Sequence, residues 1–191
     1  MTKKTSEKGF TLIEVIVVGV LMMILALGAF SLFSMYTNST RETSANLRMQ
    51  RQAEAVTGEL SRWVRDGASA TIGGEGTSIV IRDGETPSRA LASFEFNNGV
   101  VRHWNWKLTA GTAIDPPLNL PDGWPQDFQV GGQPVRTTTP STTTNRFTLT
   151  GKQVSINMTL RAVDANGNDI ISNINNLPLT QNITGAYRCR N

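Results

Sequence analysis

Between Val15 and Phe33 the chain carries no charged side chain and a single polar one, Ser31. A helix over that run reaches roughly 30 Å at about 1.5 Å per residue, the thickness of the hydrocarbon layer of a bilayer. The run is predicted to cross a membrane, and everything else the chain builds has to hang from it. Lys3, Lys4 and Lys8 precede it. The positive-inside bias therefore places the N-terminus in the cytoplasm and the residues after Phe33 outside the cytoplasmic membrane. A cleaved secretory signal is the competing reading, with Ala26 and Gly28 as its small-residue site. Its apolar region is only about 7 to 15 residues long, shorter than this one. A lipoprotein anchor needs a cysteine just after the run, and the one cysteine is Cys189.

Glu14 stands where this run begins. An ionisable group in a membrane helix costs a few kcal/mol and is by default a functional residue. The plainer account is that its side chain snorkels towards the cytoplasmic headgroups, as side chains near helix ends do. The flanking residues favour the functional account. Gly9 followed by Phe10-Thr11-Leu12-Ile13-Glu14, with a short basic leader before and an apolar run after, resembles the class III signal of type IV pilins and type II secretion pseudopilins. The resemblance covers about the first thirty residues. It implies a prepilin peptidase that cuts between Gly9 and Phe10 and methylates the new terminus to N-methyl-Phe10. Cleavage creates an α-amino group at Phe10, whose ordinary pKa is about 8. Leaving either that cation or Glu14 unpaired in a low-dielectric bundle costs more than pairing them. The contact fits within one subunit, because positions four apart share a helix face. The resemblance implies instead a contact between the Phe10 amine of one subunit and Glu14 of its neighbour, which makes Glu14 the assembly residue.

Composition limits the remainder. The formal charge is +3, but three lysines and one glutamate lie ahead of Phe10, so residues 10–191 carry +1. The argument from basicity to nucleic acid loses its support, and no nucleic-acid partner is expected. Cys189 has no second cysteine, and with the lone His103 it cannot assemble a tetrahedral metal site. No metal, cofactor or catalytic residue is expected.

After the apolar run, residues 41–66 contain no proline and repeat apolar side chains at Met49, Ala53, Val56, Leu60, Trp63 and Val64. That is helical periodicity, with Gly67 as its stop. Gly58 interrupts it at a cost of roughly 1 kcal/mol relative to alanine, to be offset by packing against a sheet. Beyond Gly67 the pattern turns to strands: 77–82, a hairpin over 91–106 around Asn98-Gly99, then 146–150, 153–163 and 169–174, in one antiparallel sheet. A two-residue turn there pairs Phe96 with Val101, Glu95 with Arg102 and Phe94 with His103. Residues 107–145, with six prolines and the run TTTPSTTTN, read as a long loop available for subunit-specific contacts.

The expected domains are a cleaved leader 1–9, a membrane and filament-core helix 10–34, an amphipathic continuation 35–67, and a β-rich domain 68–191. The fold class is α+β, a long helix on an antiparallel sheet. DANGND from Asp164 opens like a calcium loop. It fails at its sixth position, Asp169, and its twelfth, Asn175, and reads as a turn. No nucleophile motif accompanies His103. By resemblance the chain is a non-enzymatic minor pilin or pseudopilin that joins a filament or its tip. Its partners are then the prepilin peptidase, other pilins, the cytoplasmic membrane and an assembly platform. Two departures from major pilins favour the minor role. Cys189 lacks a partner for their C-terminal disulfide, and Ser31 falls where many of them have a helix-kinking proline. The competing class is a single-pass membrane-anchored surface protein that recognises carbohydrate, through Trp104, Trp106 and Trp124, or another surface ligand.

Overall fold

The computed structural model describes residues 10–86, 88–105, 125–139, 143–164, 166–172 and 175–190. One helix, α1, runs from Leu12 to Asp66. It contains no proline to remove a hydrogen bond or clash with the preceding turn. Gly67 N–H closes the last turn on Trp63 C=O (2.9 Å), and Ala68 N–H turns away to Arg82 C=O (2.9 Å), which starts the sheet. A Cβ on Gly67 would lie 2.4 Å from Ile81 Cγ2. Glycine is therefore required here by the closeness of helix end and strand.

By internal contacts the chain forms two compact units, 1–41 and 42–191. In the described part of the first, every large apolar side chain from Phe10 to Tyr36 is at least half exposed. Such a surface is stable in lipid or against other helices and unstable in water.

The second unit buries the stripe read from the sequence: Met49, Ala53, Val56, Leu60, Trp63 and Val64 all lie in its core, and Ala45, one turn earlier, joins them. Gln52 is buried beside them. Against the stripe pack Ile79, Ile81, Phe94, Phe96, Val101, Phe147 and the inner row of a nine-residue strand, Val154, Ile156, Met158 and Leu160. Each large apolar side chain buried completely, as Leu60 is, contributes about 1.5–3 kcal/mol. Gly58 does not face this core. It is exposed, and a Cβ there would meet nothing within 4 Å, so sheet packing does not offset it as expected.

Five antiparallel strands follow in spatial order: β1 (Ser69–Gly73), β2 (Ser78–Arg82), β3 (Ala90–Asn97), β4 (Val100–Asn105) and β5 (Gln126–Asp127). The β3–β4 hairpin has the register that the Asn-Gly turn predicts, Phe96 opposite Val101, Glu95 opposite Arg102 and Phe94 opposite His103. Asn98 (φ 48°) and Gly99 (φ 72°) are both left-handed, as a type I′ turn requires. Arg102 Nη1 lies 3.0 Å from Glu95 Oε1, and its other nitrogens reach Pro125 C=O and Asp127 (3.6 Å), which ties β5 to the edge of β4. A small ribbon, β6 (Gln129–Val130) with β7 (Gln133–Pro134), lies in the stretch read as loop.

A second sheet has the order β10-β9-β8, from β8 (Arg146–Thr150), β9 (Gln153–Arg161) and β10 (Thr180–Arg188). Two expectations are corrected here. Residues 169–172 make only isolated bridges, Val163 to Asp169 and Ile171 to Pro178, while 173–174 lie outside the described residues. On the side of β9 away from β8 the partner is β10, which the sequence did not announce. The strands also divide among three sheets instead of one. Asn145, fully buried and left-handed (φ 53°), joins this sheet to the chain before it. Its Nδ2 donates to Thr138 C=O (2.6 Å) and its Oδ1 accepts from Thr159 N–H (2.8 Å).

Candidate functional site

The chemistry-bearing residues singled out by sequence are Gly9, Phe10 and Glu14. Gly9 lies outside the described residues. Phe10 is 86% exposed and, like Thr11, non-helical. α1 starts at Leu12 because Thr11 and Glu14 form a reciprocal cap. Thr11 Oγ1 accepts from Glu14 N–H (3.4 Å), while Glu14 Oε2 accepts from Thr11 N–H (2.9 Å) and from Thr11 Oγ1 (3.0 Å). This is the Thr-x-x-Glu capping box, which satisfies N–H groups that the first helical turn leaves without partners. Water does not satisfy them in a membrane.

The signal for this cap lies in the sequence itself, in the Thr-x-x-Glu spacing of Thr11-Leu12-Ile13-Glu14. The structure places Glu14 in the first turn of α1, with its carboxylate bonded back to Thr11, the residue after Phe10. Both Thr11 bonds converge on Oε2. The arrangement can hold the helix start in position and fix an anionic group there.

The remaining candidates lie in the second unit. His103 is half-buried, edge-on to Phe128 (ring centroids 4.7 Å) and Phe94 (6.4 Å), with a buried Nδ1 that has no hydrogen-bond partner among the described residues. Burial pushes its pKa down, against a smaller upward pull from Glu59. That environment packs a neutral ring and supplies no nucleophile to activate. Trp104 is completely buried, so it offers no face to a sugar; Trp106 and Trp124 lie outside the described residues. Cys189 is free and 3% exposed, and burial raises its thiol pKa. In DANGND, Asp164 Oδ1 accepts from the N–H groups of Asn166 and Asn168 (both 2.9 Å), and Gly167 is left-handed (φ 84°). This is a side-chain-closed turn. Among the described residues no group of three or more His, Cys, Asp or Glu is placed to hold a metal.

Residues 4–30 match the family model described as the prokaryotic N-terminal methylation motif. No curated protein and no solved structure matches the chain. The match gives the chain a prokaryotic N-terminal methylation motif, consistent with the class III signal of type IV pilins and pseudopilins, and such a signal implies processing by a prepilin peptidase. Its architecture, one long N-terminal helix followed by antiparallel sheets, is pilin-like.

Proposed function

We infer that this protein is a minor pilin or pseudopilin, cut between Gly9 and Phe10, N-methylated on Phe10, and drawn from the cytoplasmic membrane into a helical filament or its tip. The observation that carries this reading is the continuity of the methylation motif at 4–30 with an apolar helix whose large side chains, from Leu12 to Tyr36, are all half exposed or more. That surface needs lipid before assembly and neighbouring helices after it. Within it Glu14 is the one charge, and the Phe10 amine of a neighbour is the group that neutralises it. The N-terminus faces the cytoplasm, the β-rich unit lies outside, and the work of the subunit is assembly through contacts with other pilins and an assembly platform.

The test is the mass of the N-terminal peptide of the protein isolated from cells that contain the peptidase. N-methyl-Phe10 is expected. A chain that begins at Met1, or one cut near Gly28, overturns the reading.

A further inference from the structure

β10 is the outer strand of its sheet, and among the described residues no other strand pairs with its free side. The bonds that bracket its ladder fix which backbone groups face outward. Leu179 C=O accepts from Ala162 N–H (3.0 Å), and Cys189 N–H donates to Lys152 C=O (2.9 Å), so the odd-numbered residues address β9. In an antiparallel ladder the residues alternate. Thr180, Asn182, Thr184, Ala186 and Arg188 therefore turn their N–H and C=O groups away from β9. Arg190, the next even position, follows the alternation and donates to Gly67 C=O (2.8 Å).

Monomeric proteins guard such edges with proline, lysine, a bulge or extreme shortness. β10 has none of these. It pairs with β9 over nine residues without a register shift, and its only charge is Arg188 at the end. By contrast β5, at the edge of the other sheet, is two residues long and carries Asp127. Beside the start of β10 an open hollow of about 330 Å³ is lined by Thr43, Asn46, Leu47 and Gln50 of α1 with Thr180 and Gln181. Leu47 is 52% exposed there.

We propose that β10 is an assembly edge, to which an extended segment of a different filament subunit adds as a further strand, its backbone bonding to Asn182, Thr184 and Ala186 and an apolar side chain covering Leu47. This rests on the filament reading above. Only an extended backbone matches alternating outward N–H and C=O groups, and the charge pattern asks for a segment uncharged through its middle with an acid opposite Arg188. A second β10 is the wrong occupant. Within this unit α1 runs in the same direction as β10, since Thr43 to Gln50 lie by Thr180 and Gly67 lies by Arg190. Antiparallel self-pairing about Thr184 would put the two Glu42 positions at opposite ends of the pair. Yet Glu42 is only six residues from Tyr36 at the end of the apolar run, about 20 Å at full extension, so both copies must keep Glu42 near one membrane.

The test is amide hydrogen exchange on the full-length protein, alone in detergent and after incorporation into filaments. Asn182, Thr184 and Ala186 are expected to exchange fast when alone and about tenfold or more slower in filaments. Thr184→Pro removes one outward N–H and leaves the β9 ladder whole. It is expected to unfold at the wild-type temperature yet stay out of filaments, while Thr184→Ala enters them. Fast exchange in wild-type filaments, slow exchange already in detergent, or normal incorporation of Thr184→Pro overturns the proposal. A disulfide-linked homodimer of Thr184→Cys in membranes overturns it as well. Should Thr184→Pro fail to fold, the exchange data decide. If the wild type enters filaments and its edge still exchanges fast, only this proposal falls; if it never enters them, the filament reading falls too.

Discussion

Glu14 Oε2 lies 2.9 Å from the Thr11 amide nitrogen and 3.0 Å from the Thr11 hydroxyl, so the residue proposed to mate with a neighbouring subunit is already bound to the start of its own helix. The two roles separate by substitution. Glu14→Gln retains a side chain able to close a capping box but removes the charge, whereas Thr11→Ala retains the charge and removes the cap, at about 1 kcal/mol of local helix stability. Glu14→Gln is expected to insert into the membrane and fail to assemble. Thr11→Ala is expected to assemble with faster amide exchange at residues 12–15. The reverse outcome would show that capping, and not charge, is what Glu14 contributes.

Gly58 within α1 and Gly67 just past its end are expected to respond to alanine with opposite signs. At Gly58 a new methyl meets open space, so Gly58→Ala should raise stability by about 1 kcal/mol through helix propensity alone. At Gly67 it meets Ile81 Cγ2 at 2.4 Å, with Arg82 C=O at 3.1 Å, and Gly67→Ala should lower stability by about 1–3 kcal/mol. Thermal unfolding of the two variants beside wild type checks both signs.

His103 predicts a pH dependence. Its pKa in the folded state is held down by burial, with Glu59 opposing, while in the unfolded chain it titrates near 6.5. As the pH falls below that value the unfolded chain binds the proton first, so folding loses stability on acidification. The contribution is complete above about pH 6.5 and disappears as the pH drops to the lowered folded value. His103→Gln, neutral throughout, should flatten the change in unfolding temperature between about pH 7.5 and 5. An unchanged slope would remove His103 from the account.

Cys189 is expected to report on unfolding. Its thiol is buried and its pKa raised, and thiolate is the reactive form. A thiol reagent at neutral pH should label it at the rate at which the second unit opens, and immediately in denaturant. Rapid stoichiometric labelling of the native protein would contradict the burial.

Where local chemistry dictated geometry, the sequence was sufficient. Asn98-Gly99 alone accounts for the β3–β4 register, because few other dipeptides accept two left-handed residues in succession. The stripe from Met49 to Val64 identified the buried face of α1 for the same reason, since a 3.6-residue period has one interpretation. β10 was illegible: TQNITGAYR offers only Ile183, Ala186 and Tyr187 as apolar residues and carries Asn and Gly, and its pairing is supplied by β9. Asp169 to Ile174 misled through its isoleucines. There the backbone bonds of Ile170 go to Ala162 and Leu179, a crossing of three segments that no periodicity encodes. Glu14 was legible twice over, as a charge out of place and as the fourth residue of a cap. The first meaning hid the second.

Asn145 has a consequence for variation. By holding Thr138 on one side and Thr159 on the other, one buried amide clips the chain ahead of β8 to the middle strand of its sheet. Its left-handed backbone (φ 53°) and its need to donate and accept at once leave few other residues able to stand there. Drift at this single position would loosen two segments together.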